Sequence, residues 1–142
     1  MRRQSRHGLT LIEVMLVLVI LVVLASAVGL YARQAQKKAL MDAARAQIGD
    51  FKTCIEVYQQ HVYSYPSTTA GLQALIAPPN DLRNPDKWAG PYLDANVVPL
   101  DPWDGEYQYQ LIDADNYVIW SLGPDGVDGS EDDIRSNDAT TQ

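Results

Sequence analysis

The chain has 142 residues, enough for one modest domain, and a formal net charge of −7. A surface this acidic repels phosphate backbones, which argues against a nucleic-acid partner and leaves divalent cations or basic protein surfaces as natural counterparts. The single cysteine, Cys54, cannot form an intrachain disulfide; at helical spacing from Phe51, Ile55 and Tyr58 it reads as a small core residue.

Met1 to Gly8 is short and basic, with Arg2, Arg3 and Arg6. From Val14 to Leu30 no charged residue occurs. As a helix, Leu9 to Leu30 would be about 33 Å long, enough to cross a hydrocarbon core of about 30 Å. The block is long for the h-region of a secretory signal, although Ala25-Ser26-Ala27 supplies a cleavage-like site. Basic residues flank it on both sides, so charge alone does not orient the span. Glu13 lies at the start of this apolar stretch, where an ionised carboxylate costs roughly 2.5 kcal/mol or more unless it is placed for a purpose or reaches the headgroups.

Leu40, Ala44, Ile48, Phe51, Ile55, Tyr58 and Val62 then recur at intervals of three or four, one stripe at the helical period. One near-continuous helix from about Thr10 to Val62 is expected, with Gly29 and Gly49 as weak points. Tyr65-Pro66 ends it, and Ser67 or Thr68 is placed to cap a short second helix through Ile76. A Pro/Asn/Asp-rich loop covers 77–86. Glu106 to Ile112 and Tyr117 to Leu122 read as two strands joined by a hairpin loop at 113–116. Trp88, Trp103, Tyr107 and Tyr109 read as packing residues, and Asp101 as the cap of a turn at Asp101-Pro102-Trp103. The tail from Arg135 is polar and expected to fray. The expected class is α+β: a lollipop with one long N-terminal helix, its first half transmembrane, packed on a small antiparallel sheet.

Between Gly123 and Asp133 lie Asp125, Asp128, Glu131, Asp132 and Asp133. Crowding them into one glycine-rich loop is costly unless water or a cation screens them. By spacing alone, a solvated turn and a Ca²⁺ site built from carboxylates and carbonyls both remain open. The loop lacks the EF-hand order. Nothing in the sequence suggests an enzyme: G-x-S-x-G, H-E-x-x-H and phosphate-loop motifs are absent, and the two histidines are His7 and His61.

Gly8-Leu9-Thr10-Leu11-Ile12-Glu13 resembles the class III signal of type IV pilins and pseudopilins. Four further segments resemble, in order, those of the major pseudopilins of type II secretion systems. They are Tyr65 to Leu75, Trp88 to Leu93, Pro99 to Trp103 with Tyr107 and Tyr109, and Ser121 to Ile134. The resemblance implies a leader of residues 1–8, cut between Gly8 and Leu9 by a prepilin peptidase that also methylates Leu9. It implies an anchor at 9–30, a periplasmic head at 31–142, and an assembly role for Glu13 against a neighbouring subunit's N-terminus. It implies one structural calcium in the C-terminal loop, held by side chains of Asp125, Asp132 and Asp133 and carbonyls of Leu122 and Val127.

The implied function is that of a structural subunit of a periplasmic pseudopilus that drives export of folded proteins. The chain would be a single-pass inner-membrane protein before assembly. Implied partners are other copies of the chain, minor pseudopilins and the inner-membrane assembly platform. The competing reading is a type IV pilin or minor pilin for adhesion, motility or DNA uptake. Such pilins often staple the last loop with two cysteines, which this chain lacks. The chain also departs from the family in having Leu30 where proline is usual, which removes one cause of a kink.

Overall fold

The computed structural model describes residues 10–137, apart from the side chains of residues 27–30. Among the described residues the one α-helix, α1, runs without a break from Leu11 to Val62, through the position where the resembled family carries proline. The chain divides into two compact units, residues 1–38 and 39–142.

In the first unit α1 is sheathed in apolar side chains that no other described residue covers. The large hydrophobic residues from Leu11 to Leu24 are 44–82% exposed. A monomer in water does not keep such a surface bare, so lipid or other chains must cover it. By length and composition α1 can cross a membrane.

In the second unit the same helix is amphipathic. Ala44, Ile48, Phe51, Ile55 and Tyr58 are buried, as the three-four spacing predicts, with Met41, Cys54 and Val62 half-buried beside them. Each fully buried large side chain contributes about 1.5–3 kcal/mol over exposure. The helix stops at Val62 because Tyr63 turns left-handed, φ 65°, while its N–H still donates to the Gln59 carbonyl at 2.8 Å. A non-glycine residue there is strained, and helix C-termini usually place glycine in that conformation.

The sheet has three antiparallel strands in the order β1-β2-β3: Gln108–Leu111, Tyr117–Ser121 and Ile134–Arg135. The expected hairpin is present, with Tyr109 opposite Ile119, and Asp113 accepts the Asp115 N–H at 2.9 Å within its loop. Ile119 is fully buried and Tyr109 is 8% exposed. The ring of Phe51 on α1 meets Tyr107 edge-on at 5.1 Å. The Tyr109 hydroxyl donates to the Pro66 carbonyl at 2.8 Å, tying the sheet to the turn that follows the helix.

Two expectations need correction. The segment from Gly71 to Leu75 is a 3-10 helix whose N-cap, Ala70, makes no side-chain cap bond. Ser67 instead accepts the Ala70 N–H at 3.1 Å, capping the turn before it. The start of the presumed frayed tail is strand: Arg135 pairs with Trp120, and Ser136 N–H donates to the Ile119 carbonyl at 2.8 Å. A two-residue strand carries no local signal and exists because β2 offers an edge.

Loop 99–105 is organised by the buried carboxylate of Asp101, 5% exposed. Its Oδ1 accepts the N–H groups of Trp103 at 3.0 Å and Gly105 at 2.7 Å. Its Oδ2 accepts the Ser121 hydroxyl at 2.5 Å, and Ser121 Oγ accepts the Gly123 N–H at 3.1 Å. Residue 105 must be glycine, since a Cβ would stand 2.9 Å from that carboxylate. Asp101 thus caps the turn as read from sequence, and it also ties this loop to the start of the C-terminal loop. Asp101→Ala orphans one buried donor, the Ser121 hydroxyl, and two half-buried N–H groups, and should cost about 3 kcal/mol or more, since bonds to charged groups are worth about 1.5–3 kcal/mol each. Denaturant unfolding of the full chain in detergent should show this loss, with Asp101→Asn losing less.

Candidate functional site

Two places carry the residues that the sequence singled out. The first is the start of α1. The expected cut between Gly8 and Leu9 lies outside the described residues. Glu13 is exposed in the first turn. Its N–H donates to Thr10 Oγ1 at 3.3 Å, and its Oε2 accepts the Thr10 N–H at a long 3.5 Å. This is a reciprocal capping box, satisfying donors that a helix start leaves open. The T-x-x-E spacing is the sequence signature of this box. The box holds the Glu13 carboxylate at the positive end of the helix dipole, beside the residue that follows Leu9.

The second place is the loop from Leu122 to Arg135. Gly123–Asp125 is a single 3-10 turn, and Gly126 follows it left-handed at φ 65°. Gly123 is also left-handed, φ 66°, and packs so closely on the Asp132 carbonyl that no Cβ fits. This contact joins the two ends of the loop.

The expected ligands are not equally placed. Asp125 Oδ1 accepts the Val127 N–H at 3.1 Å and the Ser130 hydroxyl at 3.3 Å. The Asp132 N–H donates to Ser130 Oγ at 3.2 Å. The side chain of Asp133 is 3% exposed. Its Oδ2 accepts the Gly129 N–H and one Arg135 Nη2–H, both at 2.9 Å. The donated Arg135 hydrogen bond, then the Gly129 N–H, hold its carboxyl below the usual carboxylate range. Its other oxygen, Oδ1, is buried and has no hydrogen-bond partner. Leu122 is half-buried and Val127 is exposed, with its side chain in solvent.

Among the described residues no three His, Cys, Asp or Glu side chains converge as metal ligands. Asp125, Asp132 and Asp133 share one loop and meet at Ser130, with Asp125 Oδ1 and Asp133 Oδ2 facing the loop's own donors and Asp133 Oδ1 left without one. Sequence reasoning missed Arg135. Its guanidinium lies 5.6 Å from the Trp120 ring and 3.6 Å from Asp128 Oδ1, which also accepts the Trp120 Nε1–H at 3.0 Å. Cys54 donates its thiol to the Tyr92 carbonyl at 3.1 Å, and burial pushes its pKa up, so it is an unreactive packing thiol.

The prokaryotic N-terminal methylation motif matches residues 3–29, and the family described as type II secretion system protein G matches residues 32–137. The type II secretion system core protein G of Pseudomonas aeruginosa is 34% identical over 134 residues, 93% of each chain. That of Klebsiella michiganensis is 37% identical over 94% of each chain. A crystal structure of the major pseudopilin from enterohaemorrhagic Escherichia coli superposes with a TM-score of 0.63 at 30% identity, covering 73% of this chain and 91% of that one. An apolar helix start with a methylation motif, a helix stripe on a three-stranded sheet and matches along most of the chain have one reading: the chain belongs to the type II secretion system protein G family, the major pseudopilins, which are structural proteins and not enzymes.

Proposed function

We propose that this chain polymerises with copies of itself into the periplasmic pseudopilus, and that growth of this fibre drives folded proteins across the outer membrane. One observation carries the reading: an uncovered apolar helix surface from Leu11 to Leu24 on a chain of this family. Before assembly, lipid covers that surface, as a single-pass anchor in the inner membrane with the head in the periplasm. In the fibre, the same segment of neighbouring copies replaces the lipid. Residues 1–8 are the leader, 9–30 the anchor and 31–142 the head. Minor pseudopilins and the inner-membrane assembly platform are the further partners. A strain lacking the chain should retain its exported enzymes in the periplasm and recover export on complementation. Intact export with lost surface adhesion or motility would point to a type IV pilin instead.

Processing follows from the leader. A prepilin peptidase acting at the membrane face needs a small residue for close backbone approach, and Gly8 supplies it. Mass spectrometry of the mature chain should find a methylated Leu9 N-terminus. Gly8→Ala should leave the longer, unmethylated chain.

Glu13 pairs with the N-terminus of a neighbouring copy and sets the register between subunits. The capping box allows charge to be separated from helix stability. Glu13→Leu removes the charge and the carboxylate half of the box, and leaves the Thr10 hydroxyl capping the backbone N–H of residue 13. Glu13→Gln keeps a side chain that a capping box accepts and removes only the charge. Both variants should insert and be cut, and both should give few fibres. Normal fibre yield from Glu13→Gln would exclude the charge pair.

The C-terminal loop holds one structural Ca²⁺ through Asp125, Asp132 and Asp133, with the carbonyls of Leu122 and Val127. Its oxygen donors are the kind that Ca²⁺ selects. Asp133 Oδ1, buried and unpartnered, is the atom that most needs a cation. When bound, the ion supplies charge neutralisation and pins the loop to the sheet; it takes no part in bond chemistry. Ligand binding stabilises the folded state in proportion to the logarithm of free calcium. Asp125→Ala and Asp132→Ala should therefore lower the melting temperature more in calcium than in chelator. Equal melting of the unsubstituted chain in calcium and in chelator would remove the site.

A further inference from the structure

Arg135 is the only lysine or arginine after Lys87, in the most acidic stretch of the chain. It stands on β3 opposite Trp120, at the exit of a loop with five acidic residues. Its guanidinium donates to Asp133 Oδ2 at 2.9 Å and lies 3.6 Å from Asp128 Oδ1. The face of Trp120 supports it from the neighbouring strand. The strand pairing, the ring and two carboxylates therefore fix where this positive charge sits. It serves one oxygen of a nearly buried carboxylate and leaves the other, Oδ1, without a partner.

We infer that Arg135 is a built-in counter-ion that competes with calcium for Asp133 and so sets the calcium concentration at which the loop fills. The inference rests on the calcium reading above. A buried carboxylate must be compensated, and with calcium absent the guanidinium compensates half of it. The loop thereby keeps its closed form without the ion. A Ca²⁺ at Oδ1 then shares one carboxylate with a guanidinium, and the repulsion between the two cations opposes binding. Arg135 holds the empty loop together and weakens its grip on calcium, so the two states lie closer in stability than the carboxylates alone would place them.

These two effects have opposite signs, which separates the inference from a merely structural role. The test uses the full mature chain in detergent, with calcium chloride titrated by calorimetry and thermal melts in calcium and in chelator. Arg135→Gln should bind calcium about tenfold more tightly, a change of about 1.4 kcal/mol, while melting lower in chelator. Arg135→Lys, which keeps the charge, should bind within about twofold of the unsubstituted chain, a difference of at most about 0.4 kcal/mol. Unchanged or weaker calcium binding by Arg135→Gln would overturn the inference and leave the calcium site standing. Equal tightening by Arg135→Lys would also overturn it, because charge would not be the agent. Absence of any calcium response in the unsubstituted chain would overturn both.

Discussion

An apolar helix surface has to be covered, and α1 meets that constraint in two different ways along one element. From Ala44 to Tyr58 the apolar residues form a stripe, and a three-stranded sheet with its loops covers it. From Leu11 to Leu24 they surround the helix, and the described residues provide no cover. Burial of the first kind makes a head that holds itself together. The second kind makes a segment that exists only in lipid or among other chains. The capacity to exchange one cover for the other is what a fibre subunit drawn from a membrane requires.

The sheet that covers the stripe is small, and polar bonds in its loops do much of the positioning. Asp101 gathers the N–H groups of Trp103 and Gly105 and reaches the C-terminal loop through Ser121 and Gly123. The close approach of Gly123 to the Asp132 carbonyl joins the ends of that loop. β3 then returns the chain to the sheet, where Arg135 meets Asp133. The acidic loop is thus held at its base by the Asp101–Ser121–Gly123 bonds and the Gly123–Asp132 contact, and at its exit by the Arg135–Asp133 pair.

Elements with a period were legible in the sequence. The stripe from Ala44 to Tyr58, the break after Val62, the hairpin and the Asp101 turn each carry a local pattern of spacing, propensity or turn chemistry, and each is present. Elements made by tertiary partners were not legible. Ile134 and Arg135 form a strand because β2 has a free edge, and Ser67 caps a turn where a helix start was expected. The Thr10–Glu13 box follows the T-x-x-E spacing of a capping box, a purely local signal that the sequence carries. In the C-terminal loop the sequence supplied the carboxylates but not their partners: Ser130, Gly129 and Arg135 engage Asp125 and Asp133 through the folded loop, where no local pattern announces them.

The central claim is that the uncovered half of α1 is the assembly surface. Electron cryomicroscopy of fibres isolated from cells overproducing the mature chain tests it most directly. The account predicts a helical fibre whose centre is a bundle of the segments from Leu11 to Leu24, with the heads outside and a Glu13 carboxylate beside a neighbouring N-terminus. A fibre joined through its heads, with those apolar segments on the outside or still in lipid, would contradict it.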